Sequence, residues 1–140
     1  MYYAAIILTV ASNVIYHIFQ KITPPAAHPL IALAVTYAFS TLLCMGFFLS
    51  LPHDKTLMES FRQLNWSSMG LGLAIVGLEL GFLLAYRSGW NISTAALAST
   101  VAVALVLLPI GLIFFSERVS AANSAGIVLC ITGLILMNWR

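Results

Sequence analysis

The sequence predicts an all-α membrane protein, a bundle of five transmembrane helices. Three observations predict it. Its 140 residues are 61% hydrophobic and only 7% charged, where soluble domains carry about 25% charged residues. The mean hydropathy is +1.02. Charges and helix breakers cut the chain into five apolar lengths, each close to the roughly 20 residues a helix needs to cross a bilayer core. Membrane-barrel strands alternate in polarity over about 10 residues, and these segments run apolar well beyond that. The formal charge of +2 is scattered along the chain, which excludes the clustered basic surface of a nucleic-acid binder.

The first span covers about residues 2–20. No Lys or Arg precedes it, and it carries Asn13, Tyr16 and His17. Both features argue for a retained helix and against a cleaved signal peptide. "KITPPAAHP" ends it, because Pro24, Pro25 and Pro29 cannot continue a helix. The second span, 30–51, leads into the link "PHDKTLMESFRQLNW". Leu57, Met58, Phe61 and Leu64 share one face there, with Lys55, Glu59, Arg62 and Gln63 mostly elsewhere. That pattern fits a short helix lying at the membrane interface. The third span, 67–86, turns through "RSGWN" into the fourth, 92–115, and "SERVS" leads to the fifth, 121–139. Trp66, Trp90 and Trp139 sit at span ends, as an interfacial aromatic belt requires. Pro109, inside the fourth span, frees the carbonyl of Leu105 and favours a kink. Five spans leave only short links, so residues 1–140 read as one transmembrane unit.

Glu79 is the one acidic residue within a span; Asp54, Glu59 and Glu117 lie in connections. It stands eight residues before Arg87, about 12 Å at the helical rise of 1.5 Å per residue, and so near the bilayer centre. An ionised carboxylate there costs at least about 2.5 kcal/mol. The group must therefore face protein or a wet cavity. Arg87 is two turns away and rotated by about 80°, which makes it a poor direct partner. Two readings of Glu79 stand: a proton or cation site for which substrate competes, or a structural hydrogen-bonding residue between helices. Along the first span Thr9, Asn13, Tyr16, His17 and Gln20 fall within about 100° of the helix circumference. Such a stripe suits either a cavity wall or interhelical hydrogen bonding. Thr36, Tyr37, Ser40, Thr41 and Cys44 form a looser stripe on the second span, read as packing.

Ser93, Ala96, Thr100, Ala104 and Gly111 line one face of the fourth span. Ala122, Gly126, Cys130 and Gly133 mark the fifth. Small residues let helix backbones approach closely, so these are helix-contact faces first. Cys44 and Cys130 lie in apolar runs without CxxC or Cys/His spacing and read as packing residues. No nucleotide-binding glycine loop, metal-ligand spacing or Ser/His/Asp set is present in the sequence. The chain reads as a non-enzyme, with no cofactor and no metal.

"LPIGLIFFSERVSAANSAGIVLCITGLILMN", Leu108 to Asn138, resembles the end of an EamA-type repeat of the drug/metabolite transporter superfamily. The features that carry the likeness are an apolar helix, the acidic–basic turn Glu117–Arg118, and a helix with Gly126 and Gly133 ending at Asn138. The likeness runs back to about Gly77, and before that it rests on the span count. It implies a single five-helix repeat where usual members carry two in inverted orientation and export metabolites. The related small multidrug resistance proteins have four helices and pair as antiparallel dimers, in which Gly126 and Gly133 would correspond to a dimer-contact helix. Those relatives keep an essential Glu in the first helix. Here that helix has Asn13 and His17, and the carboxylate is Glu79 in the third.

The expectation is a secondary transporter of a small metabolite or amphipathic solute in the cell (inner) membrane, working as an antiparallel homodimer. Glu79 would take a proton or a cationic group. Asn13, Tyr16, His17, Gln20, Tyr86 and Ser93 would line the path. A lipid-headgroup flippase and a non-transporting subunit of a larger complex are the alternatives. With five spans, one side of the membrane carries Lys55, Arg62 and Arg118 and the other Lys21, Arg87 and Arg140. Orientation follows the Lys/Arg bias, and this balance predicts insertion both ways.

Overall fold

A computed structural model describes residues 2–52, 54–115 and 120–138. The described residues form six helices and no strand: α1 (Tyr2–Ile22), α2 (Pro29–Ser50), α3 (Leu57–Arg62), α4 (Trp66–Arg87), α5 (Ile92–Phe114) and α6 (Ala121–Asn138). Four of them, α1, α2, α4 and α5, are long and apolar enough to cross a membrane, the makeup of a multi-pass membrane protein. α3 is the short helix of the longest link, and α6 occupies the stretch of the fifth expected span. The Glu117–Arg118 turn, Trp139 and Arg140 lie outside the described residues.

Local chemistry sets each boundary. After α1, the Thr23 N–H and hydroxyl both donate to the Phe19 carbonyl, at 3.1 and 2.9 Å, just before the proline pair. α2 begins with Pro29 in its first turn behind an extended His28, where a missing N–H costs nothing. α3 starts in a capping box. The Glu59 N–H donates to the Thr56 hydroxyl at 3.3 Å, and the Thr56 N–H donates to the Glu59 carboxylate at 2.8 Å. Those Thr56 donors hold the Glu59 carboxyl below its ordinary range. Beyond α3, Lys55 Nζ donates to the Gln63 side-chain oxygen at 2.8 Å. The Asn65 side chain caps α4 by accepting from the Ser67 N–H at 2.9 Å. α4 gives way at Ser88 to Gly89, whose φ of 95° lies in the left-handed region that glycine enters without strain.

Two compact units divide the chain: Met1–Ile18 with Gly89–Arg140, and Phe19–Ser88. In the first, α5 packs against α6, with Ala95 and Gly111 buried. In the second, α2 packs against α4. There Leu33 comes from α2, and Leu83 and Tyr86 from α4, as the buried apolar residues. Leu83 is 1% exposed and is the largest fully buried side chain. Most other large apolar side chains of the long helices are exposed, as suits surfaces bounded by lipid.

Candidate functional site

The second unit builds a site around Glu79. Three helices, α1, α2 and α4, bring its parts together. Glu79 sits half-buried on α4, and Phe82, Leu83 and Tyr86 follow it at helical spacings of three, four and seven. α2 lies against this face and contributes Tyr37, one turn beyond the buried Leu33. The Tyr37 hydroxyl and the Glu79 carboxyl are near enough to influence each other. Yet the hydroxyl is buried and makes no hydrogen bond of ordinary geometry. From the last turn of α1, Gln20 Nε2 donates to the Glu79 backbone carbonyl at 3.4 Å. That length is at the weak end of the range.

Both nearby cations are used elsewhere. Lys21 Nζ lies 5.5 Å from the centre of the Tyr86 ring, a cation–π contact, and donates to the Tyr86 carbonyl at 3.4 Å. Phe82 stacks on the Tyr86 ring, with centroids 6.0 Å apart. Arg87 Nη2 donates to the carbonyls of Ala27 at 2.7 Å and Pro24 at 3.2 Å. Arg87 therefore ties the end of α4 to the α1–α2 link. Among the described residues no ion pair reaches Glu79.

These contacts also fix depth. Arg87 holds the link beside the end of α4. Tyr37 lies eight residues in from Pro29, and Glu79 eight residues back from Arg87. Each is about 12 Å from that shared end, so the phenol and the carboxyl meet at one level.

Of the seven residues expected from the sequence to bind substrate or proton, Gln20, Glu79 and Tyr86 gather in this unit. Asn13, Tyr16, His17 and Ser93 belong to the other. There His17 is buried, with its ring edge-on to Tyr16 at 5.1 Å between centroids, and Asn13 and Ser93 are exposed. The Thr9 hydroxyl, part of the expected polar stripe, donates to its own helix at the Ala5 carbonyl, 3.0 Å away. Thr36, Thr41, Thr100 and Thr132 do the same four residues back. Such back-bonding satisfies a hydroxyl inside an apolar medium and leaves its donor unavailable to a ligand. Gly126 is half-buried and Gly133 exposed, and a Cβ at either would meet only open space among the described residues. Tyr37 and Lys21 are the site residues that sequence reasoning missed. The matching eight-residue distances of Tyr37 and Glu79 from Pro29 and Arg87 are the signal that was there to find.

Comparison with family models, with curated proteins and with solved structures finds no match for this chain.

Proposed function

We propose that the chain is a secondary transporter of a small metabolite or amphipathic solute, with Glu79 as the group that a proton and a cationic part of the substrate occupy in turn. The observation that carries this reading is a mid-span carboxyl without a counter-charge among the described residues. Arg87 is held at two carbonyls and Lys21 at Tyr86, the neutral Tyr37 lies by the Glu79 carboxyl, and Gln20 donates to the Glu79 backbone carbonyl. A structural carboxyl at that depth would be expected to sit against a fixed cation or in a complete hydrogen-bond network. One that has neither is suited to exchange its proton for a cation. No catalytic chemistry is assigned to the site.

The same reading takes α6 as a fifth crossing and the chain as a single EamA-type repeat, on the resemblance over Leu108 to Asn138. The balance of basic residues, three on each side, supports insertion in both orientations. Two opposed copies would restore the inverted pair that many transporters carry in one chain. The small residues Gly126 and Gly133 would let the backbone of a second copy approach closely. The exposed amide of Asn13 favours the second reading, a lipid-headgroup flippase, in which polar groups open sideways to lipid.

Reconstituted vesicles screened with labelled amines, amino acids and lipid phosphates test the proposal. Uptake driven by a pH gradient, lost in Glu79→Gln, supports it. Movement of lipid phosphates alone would favour the flippase. Uptake unchanged by Glu79→Gln removes Glu79 from the mechanism.

A further inference from the structure

Tyr37 presents an unusual economy. Its hydroxyl is buried beside the Glu79 carboxyl but makes no hydrogen bond of ordinary geometry, although buried polar groups in folded proteins nearly always have a partner. Thr9, Thr36, Thr41, Thr100 and Thr132 show how this chain ordinarily settles a hydroxyl in its helices, by donation four residues back. A phenol cannot reach back in that way, and the group facing it is the Glu79 carboxyl. The nearby cations have partners of their own, although Arg87 Nε is also buried without one. From α1, Lys21 is at Tyr86. On α4 itself, Arg87 is at the Pro24 and Ala27 carbonyls, and Tyr86 lies seven residues, about 10 Å, along the helix from Glu79.

We infer that the Tyr37 hydroxyl is a reserved donor for Glu79: it donates to the carboxylate when a cationic ligand group displaces the carboxyl proton. This rests on the reading of Glu79 as an exchange site. With the carboxyl neutral, a second donor beside it gains little. When a cation arrives, the carboxyl proton passes to water and both carboxylate oxygens need partners. One then faces the cation and the other takes the Tyr37 O–H. No shift of α2 along α4 is required, because the two helices already hold the two groups at one depth. Tyr37 is thereby a positioning residue: it orients the carboxylate and strengthens cation binding without itself contacting the cation.

The test uses the full chain in lipid nanodiscs. A hydrophobic carbodiimide labels the Glu79 carboxyl, and benzylamine is titrated as the protecting cation. In Tyr37→Phe the half-protecting benzylamine concentration should rise roughly 10- to 100-fold, the worth of one hydrogen bond to a charged group. The melting temperature should stay at the wild-type value. Unchanged half-protection in Tyr37→Phe overturns the role of Tyr37 and leaves Glu79 as a cation site. Weaker protection together with a matching fall in thermal stability marks a structural hydroxyl and also overturns it. Absence of benzylamine protection in the wild type overturns the exchange reading of Glu79, and the role of Tyr37 with it.

Discussion

Replacing Arg87 tests how the end of α4 is held to the α1–α2 link. Its guanidinium donates from one nitrogen to two backbone carbonyls, Ala27 at 2.7 Å and Pro24 at 3.2 Å. Hydrogen bonds from a charged donor are worth about 1.5–3 kcal/mol each. Arg87 is only half-buried and sits at a helix end, and the 3.2 Å bond is the weaker, so the bottom of that range applies to the pair. A cation in the last turn of a helix adds about 0.3–1 kcal/mol through the helix dipole. Arg87→Ala should therefore cost about 2–2.5 kcal/mol. Arg87→Lys should cost about half as much, because it keeps the charge but loses the planar, pre-organised guanidinium. Reversible unfolding in mixed micelles, followed by circular dichroism, reads both. An alanine variant within about 0.5 kcal/mol of wild type, the usual scatter for a surface substitution, would refute the tie. A lysine variant as destabilised as alanine would show that the fork matters and the charge does not.

Further outcomes follow from the same contacts. Gly89→Ala should lower stability by about 1–2 kcal/mol in the same unfolding assay, because an L residue is strained at φ 95°. The Glu59 carboxyl is held below its ordinary value by Thr56. Its contribution to α3 is thus present above the unfolded value of about 4.3 and is lost as pH falls through the lower folded value. A spin label at Met58 should gain mobility over that acid range in the wild type, and already at neutral pH in Thr56→Ala. Cysteine placed at the exposed Asn13 should react with water-soluble thiol reagents, and cysteine at Ile7, Val14 or Ile18 should not; equal reactivity on both faces removes a wet wall along α1. A C-terminal reporter should appear on both sides of the membrane, and its confinement to one side would exclude the antiparallel pair.

The long apolar helices were legible because bilayer thickness fixes their length and because prolines, charges and a glycine mark their ends. α1, α2, α4 and α5 end within two residues of the expected limits. The apolar face of the longest link also read correctly as a short helix, since Thr56 and Glu59 form its cap. Glu79 stood out because a carboxylate has no inexpensive place in such a run. Tyr37 did not. A tyrosine in a membrane helix is unremarkable by composition, and its meaning depends on which helix faces it. That pairing is a tertiary fact, set by α2 lying on α4 and by Arg87 bringing their ends level. Thr9 was overread for the opposite reason: its polarity is visible in the sequence, but its donation to Ala5 is settled by rotamer choice. The polar face of α1 was read as one stripe, yet Gln20 serves the unit containing Glu79, while Asn13, Tyr16 and His17 belong to the other.

The most direct measurement of the central claim is uptake of labelled compounds into proteoliposomes, wild type beside Glu79→Gln. Both are challenged with the same panel of amines, amino acids and lipid phosphates under an imposed pH gradient. The account predicts that at least one cationic compound is accumulated by the wild type and none by Glu79→Gln, with equal protein incorporated. Equal uptake by the two proteins, or none by the wild type across the panel, would contradict it.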